Sequence, residues 1–210
     1  NWARIQRETH QHRGGASSGQ AQFGIVQGGV FQDLRQECAS KLIELDFDGY
    51  AVGGVSVGEG HQAMMDGVRF STGLLPQDKV RYLMGVGTPL DLVESVARGV
   101  DIFDCVYPTR SGRYGSFMTD EGMQHIHNAR FADDTRPLME GCECDACSTK
   151  MPRGMLRAAL KEREIVAASM LAHHNLHYLI KLMARIRTAI GDGSFEQLRA
   201  KVVAAYPVKS

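Results

Sequence analysis

The chain has 210 residues, 43% of them hydrophobic and 23% charged, which is enough apolar surface for a buried core and excludes a disordered tail or a linker. Formal net charge is zero, so bulk electrostatics gives no general attraction to nucleic acid, and any such partner must be gripped by a local basic patch. No run approaches the roughly 18 uninterrupted apolar residues of a membrane span, and the opening Asn-Trp-Ala-Arg-Ile-Gln-Arg is neither a signal nor a transit peptide, so no membrane partner and a cytoplasmic location are expected.

The chain opens mid-pattern and without Met, and is expected to be a fragment. Residues 10–22, rich in Gly, Ser, Gln and His, predict a loop or a mobile lead-in. A short apolar run at Phe23–Val26 predicts a strand ending in Gly28-Gly29, and Leu34, Cys38, Leu42 and Leu45 give Asp33–Leu45 the spacing of an amphipathic helix. The phrase recurs. Tyr50–Val57 predicts a buried strand, with His61–Phe70 helical after it. Val80–Val86 predicts a third strand, and the following helix is marked by Thr88, by Pro89 in its first turn and by Asp91 at the capping-box position. Val100–Val106 predicts a fourth strand. Apolar strands separated by helices imply a parallel sheet covered by helices, an α/β protein of either β/α-barrel or doubly wound type.

After Pro108 the texture changes. Residues 114–140 predict short strands and turns leading to a cysteine cluster, and Leu156–Ile190 predicts one long helix. Gly191-Asp192-Gly193 ends it, and Ser194 with Gln197 is expected to cap a last helix. The expected domains are 1–113 and 114–210.

Three of the five cysteines, Cys142, Cys144 and Cys147, form a Cys-x-Cys-x-x-Cys cluster, and His173 and His174 follow. Three thiolates need only one more N or S ligand to close a tetrahedral zinc site, and a site made wholly of protein ligands is structural. Cys38 and Cys105 lie far apart and are expected to be reduced thiols rather than a disulfide.

The chemistry must then lie elsewhere, and in parallel β/α architectures it projects from the carboxyl ends of strands. Asp104, among Phe103, Cys105 and Val106, is the candidate nucleophile, because burying a carboxylate there is costly unless a partner or substrate uses it. The alternative is an Asp that caps a loop. Asp101 falls on another face and is expected to be a solvated residue at the strand start. Gln27-Gly28-Gly29 and Gly53-Gly54-Val55 also fall at strand ends, where glycine admits a flat ligand and an amide such as Gln27 can donate and accept at once. Thr109-Arg110-Ser111-Gly112-Arg113 places two guanidiniums on an expected loop after Asp104, suited to phosphate or a base edge, or simply to solvent.

Taken together these residues resemble the bacterial tRNA-guanine transglycosylase family, in its carboxyl-terminal part and over nearly the whole chain. The resemblance is carried by Phe-Gly-Ile-Val-Gln-Gly-Gly at 23–29, Gly-Tyr-Ala-Val-Gly-Gly-Val-Ser-Val-Gly-Glu at 49–59, Met-Gly-Val-Gly-Thr-Pro at 84–89, Phe-Asp-Cys-Val-Tyr-Pro-Thr-Arg-Ser-Gly-Arg at 103–113, Asn-Ala-Arg-Phe at 128–131, and the cysteine cluster followed by His-Asn-Leu at 174–176. It implies part of a (β/α)8 barrel of the TIM type with a zinc-binding subdomain and carboxyl-terminal helices. It also implies exchange of the wobble guanine of tRNA for a 7-deazaguanine in queuosine biosynthesis, through a covalent glycosyl-enzyme on Asp104.

By the same resemblance Gln27 and Gly54 meet the purine, Met84 stacks on it, and the Val55 carbonyl accepts from an aminomethyl substituent. Val57, bulkier than the glycine of eukaryotic relatives, points to 7-aminomethyl-7-deazaguanine as substrate. Gly85, Val86, Gly87, Thr88, Pro89, Leu90 and Asp91, with Thr109, Arg110, Ser111, Gly112 and Arg113, match segments that hold the tRNA anticodon loop, a splayed single strand of the usual RNA kind. Zinc falls to Cys142, Cys144, Cys147 and His174, the histidine chosen by motif although residue count favours His173.

There are departures. The family's other essential carboxylates lie in an amino-terminal half that is not in this sequence, so the chain by itself is expected to be inactive. The family's Ser-Arg-Ala-Tyr dimer segment stands here as Pro152-Arg153-Gly154-Met155, which makes homodimerisation a weaker expectation. A non-catalytic zinc-containing tRNA-binding subunit is the rival expectation, and a zinc-stabilised domain acting on another nucleobase is a third.

Overall fold

The computed structural model describes residues 2–55, 58 and 60–208. They form two compact units, residues 1–86 with 94–105 and residues 87–93 with 106–210.

The first unit is an alternation of strand and helix. Helix α1 (Trp2–His12) leads into β1 (Phe23–Val26), α2 (Gln32–Ile43), β2 (Gly49–Val52), α3 (His61–Thr72), β3 (Val80–Leu83), α4 (Pro89–Val96, of which 89–93 group with the second unit) and β4 (Ile102–Phe103). The four strands pair in parallel in sequential order β1-β2-β3-β4, with Val26 opposite Val52, Val52 opposite Leu83, and Leu83 opposite Phe103. An order without reversal contains no switch point of the doubly wound kind. Val26, Val52 and Leu83 are fully buried and join Val68, Met65 and Leu75 in one core.

Several elements are shorter than their apolar runs. β2 stops at Val52 rather than Val57 because Gly54 turns to φ +64°, and β3 stops at Leu83 because Gly85 turns to φ +73°. β4 holds only Ile102–Phe103 of the expected 100–106, since Pro108 enters the first turn of a helix. Residues 10–22 are less irregular than expected, with α1 running to His12 and a 3₁₀ turn at Gly15–Ser18. Arg7 pins α1, donating to the Leu45 carbonyl and pairing with Asp48 at 3.1 Å. The stripe of α2 keeps Leu42, with Cys38 and Leu45 packed on the core, but differs in its first turn. Arg35, Ala39 and Leu42 are buried, whereas Leu34 is 48% exposed.

The second unit contains α5 (Tyr107–Arg113), the antiparallel hairpin β5 (Ser116–Thr119) and β6 (Gly122–His125), and helices α6 (Asp145–Ser148), α7 (Arg153–Lys161), α8 (Ile165–Gly191) and α9 (Phe195–Ala205). Phe117, Ile126, Phe131, Leu138, Leu156 and Leu171 form its core. The single helix expected over 156–190 is two. It breaks at Arg163, whose φ is +61°, with Glu164 N–H donating to the Ala159 carbonyl and Arg163 N–H to that of Leu160. This is the paired closure of a Schellman motif, built without its usual glycine. Ser194 precedes α9, but its hydroxyl bonds Asp192 at 2.6 Å, so the expected box with Gln197 does not form. Among the described residues no helix is long and apolar enough to cross a membrane.

Candidate active site and metal centre

The residues picked out near strand ends gather in the first unit. Gln27 follows β1, Gly54 and Val55 follow β2, Met84 to Val86 follow β3, and Asp104 follows β4. The Gln27 carboxamide lies against the chain after β2. A Cβ on Gly53 would stand 2.5 Å from Gln27 Nε2, and one on Gly54 would stand 2.7 Å from Oε1, so a side chain at either position would push the carboxamide aside, and φ +64° at Gly54 itself favours glycine. Val55 is buried, with its side chain against Gly67 of α3. Val57 lies outside the described residues.

Asp104 is exposed, not embedded as the sequence implied, because β4 ends at Phe103 and the chain turns outward. Its Oδ1 accepts from the Tyr82 hydroxyl at 2.6 Å and from the Gly85 N–H at 2.8 Å. The Tyr82 bond first, then the Gly85 bond, hold the carboxyl below its ordinary range against a smaller opposing effect of burial. Tyr82 is pushed the other way, chiefly by the same bond, and stays protonated. Tyr82 carried no motif. Its signal was the two-residue alternation of β3, which puts it on the face of the sheet opposite Leu83. Asp101 is exposed and accepts the Arg81 N–H at 2.8 Å, in keeping with a residue at the strand start.

Of the two segments expected to meet RNA, Gly85 and Val86 belong to the first unit, and residues 87–91 and 109–113 to the second. At 87–91, Asp91 N–H donates to Thr88 Oγ1 at 3.1 Å and the Thr88 hydroxyl donates to Asp91 Oδ2 at 2.6 Å, so the expected cap is formed. Residues 109–113 are helix α5 rather than a loop. Gly112 is buried within α5, and a Cβ there would stand 2.5 Å from the Ala172 Cα, so its role is close packing on α8. Arg110 and Arg113 are exposed. Arg113 lines a cavity of about 730 Å³ together with Thr109, Tyr114, His127 and Arg163.

The metal centre is in the same unit. His174 Nδ1 lies 3.7, 3.3 and 3.6 Å from the sulfurs of Cys142, Cys144 and Cys147, and all four donor atoms fall within 4.8 Å of one another. A tetrahedral zinc with ordinary bond lengths sets sulfur and nitrogen ligands about 3.6 Å apart, so the donors fit that ion. His174 Nε2 bonds the Met118 carbonyl at 2.8 Å, which fixes the proton on Nε2 and leaves Nδ1 as ligand. His173 is half exposed and faces Asp145 at 3.3 Å, so the motif chose correctly over residue count.

The electrostatics agree. Cys144 is driven down, first by its hydrogen bond with Cys147 and then, against burial, by His174, so one thiolate is already favoured. Cys147 is driven up, chiefly by the bond to Cys144 and by burial. Burial lowers the His174 pKa, but bonds to Cys142 and Cys144 outweigh it and raise the group to about 9. A bound cation displaces these shared protons. All five cysteines are free of disulfides.

Next to His174, Asn175 is fully buried and was missed as a site residue. Its Oδ1 accepts the Met118 N–H at 2.9 Å. Its Nδ2 donates to the carbonyls of Pro108 and Ser116 and to Ser111 Oγ at 2.9–3.2 Å.

A parallel sheet with an ionised acid at a strand end, together with a buried Cys3His centre, defines an α/β protein braced by a structural metal. The family description for queuine tRNA-ribosyltransferase matches residues 1–208, and the chain belongs to that family. A relative named queuine tRNA-ribosyltransferase from Caldanaerobacter subterraneus is 46% identical over 205 residues, covering 98% of this chain and 53% of the relative. Relatives of the same name from Ruegeria pomeroyi and Cereibacter sphaeroides are 49% and 48% identical, over 95% and 97% of this chain and 52% and 53% of their own lengths. The chain spans about half the length of these curated relatives.

Proposed function

We propose that the chain supplies the nucleophile and the metal-braced RNA-binding part of a tRNA-guanine transglycosylase, with 1–113 belonging to a (β/α)8 barrel and 114–210 to the zinc-binding subdomain. The observation that carries this is Asp104, exposed at a strand end and held ionised by Tyr82 and Gly85. Family membership and identities of 46–49% support it.

In the proposed mechanism both anchoring bonds go to Oδ1, and Oδ2 attacks the ribose C1′ of the wobble nucleotide. The C1′–N9 bond breaks, and guanine leaves with the electron pair and takes up a proton at the base. The ester between Asp104 and C1′ is then broken by N9 of an incoming 7-aminomethyl-7-deazaguanine, which loses its own proton. Two inversions retain configuration, the double displacement of retaining glycosidases applied to an N-glycoside. Gln27 and Gly54 read the purine edge, Met84 stacks on the base, and the Val55 carbonyl accepts from the aminomethyl group. The anticodon loop is held by Arg110 and Arg113 with residues 85–91. Zinc, when bound, holds the subdomain and takes no part in the reaction. Cytoplasmic residence belongs to the same proposal. A homodimer is the weaker part of the proposal, since Pro152-Arg153-Gly154-Met155 stands where the family has its Ser-Arg-Ala-Tyr dimer segment.

The test is a denaturing gel of the full-length protein with tRNA and a trapping base. A covalent band that disappears in Asp104→Asn establishes the nucleophile. Equal tRNA binding with no band in either protein assigns the chain to a non-catalytic subunit.

A further inference from the structure

Arg35 is fully buried at 0% exposure, and leads the fully buried side chains in volume. Arginine is almost never enclosed unless polar groups receive its donors. Here Nε donates to the Gly29 carbonyl at 2.7 Å, and Nη2 donates to the carbonyls of Gly53 at 3.0 Å and Gly54 at 3.3 Å. Nη1 donates to Ser71 Oγ at 3.1 Å, and that hydroxyl is fixed in turn by the Gly67 carbonyl of α3. The three backbone carbonyls belong to the turns that leave β1 and β2, and these turns carry Gln27 and Gly54. Residues 53 and 54 therefore touch both the Arg35 guanidinium and the Gln27 carboxamide. The helix residue itself cannot shift freely, since a Cβ on Gly28 would stand 2.7 Å from the Arg35 backbone nitrogen.

A hydrophobic side chain of similar volume would fill the space but would leave those carbonyls without their donors. A flat guanidinium is suited to holding two turns at a fixed separation, because its donors diverge in one rigid plane. We propose that Arg35 is a positioning residue for the base. It sets the spacing between the turn after β1 and the turn after β2, and so the distance between Gln27 and Gly54 that must match a purine edge. This rests on the assignment of Gln27 and Gly54 to base recognition.

The test uses the full-length protein and exchange of labelled guanine into tRNA, with Arg35→Lys, Ser71→Ala and Gln27→Ala compared. Lysine keeps the charge but cannot span both turns. The expected result for Arg35→Lys is a rise of about tenfold or more in the KM for guanine, with the KM for tRNA and the yield of the covalent Asp104 adduct within about twofold of the parent. Ser71→Ala removes one anchor and shifts the guanine KM the same way by a few-fold, which gives the reading if Arg35→Lys does not fold. An unchanged guanine KM in a folded Arg35→Lys or Ser71→Ala protein overturns the inference. So does a parallel fall of every constant with thermal stability, the mark of a structural role alone. If Gln27→Ala leaves the guanine KM unchanged, it is the base-recognition assignment that fails.

Discussion

Asn175→Ala is expected to destabilise the second unit by about 3–5 kcal/mol. The change deletes the acceptor of the Met118 N–H and the donor to the Pro108 and Ser116 carbonyls. A buried donor left unpaired costs about 1–3 kcal/mol, and two carbonyls losing their donor add to this, partly relieved if water enters the vacated space. Asn175→Asp separates this account from one based on packing. It keeps the volume and the Met118 acceptor but turns an oxygen toward the two carbonyls, so at neutral pH it should be no milder than alanine. Urea denaturation of the full-length protein gives the free energy. Hydrogen exchange over 116–119 localises it, with lost protection expected at Met118. A loss below about 1 kcal/mol for Asn175→Ala, or an aspartate variant clearly more stable than the alanine one, would refute the reasoning.

Complete removal of zinc by a chelator should unfold residues 106–208, because binding energy of about 10–16 kcal/mol at such sites is folding energy, and unchanged circular dichroism would exclude a structural metal. Tyr82→Phe should slow adduct formation about tenfold, the scale of one charge-assisted bond to a partly solvated carboxylate. Because the folded pKa of Asp104 is depressed, its charge is present above the ordinary carboxylate range and is lost as pH falls through the folded value. Removing the largest cause of that depression moves the acid limb of the adduct-formation profile to higher pH, and an unmoved limb would dissociate Tyr82 from the charge on Asp104. Arg163→Gly should stabilise the protein by about 1 kcal/mol in the same urea assay, since φ +61° costs arginine what it does not cost glycine.

What was legible in the chain depended on local periodicity and on residue chemistry. The strand at Phe23–Val26 was readable because apolar residues end abruptly at glycines, and the metal ligands because three thiols in six residues have few other uses. The break at Arg163 was not readable, because its signal is normally a glycine and an arginine occupies the left-handed position. Leu34 was expected inside, and Arg35 carried no expectation. The structure exposes Leu34 and buries Arg35, because three carbonyls at the strand ends reward a buried donor more than the core rewards a leucine. The reason for proposing Asp104 differs between sequence and structure. Cost of burial singles it out in the sequence, but it is exposed, and the long-range bond from Tyr82, 22 residues away, is what the structure adds.

The metal and the arginine-bearing helix are joined by a short path. His174 ligates through Nδ1 while its Nε2 holds the Met118 carbonyl. The next residue, Asn175, holds the Met118 N–H and reaches the Pro108 carbonyl in the first turn of α5. One strand residue is thus clamped on both backbone groups by consecutive residues of α8, and the same clamp extends to the helix carrying Arg110 and Arg113. Asp104 takes its two anchors from Tyr82 and Gly85, which belong to the other unit. The two proposed roles therefore rest on separate supports. Loss of the metal should act first on the surface proposed to meet RNA, and Asp104 should keep its hydrogen bonds.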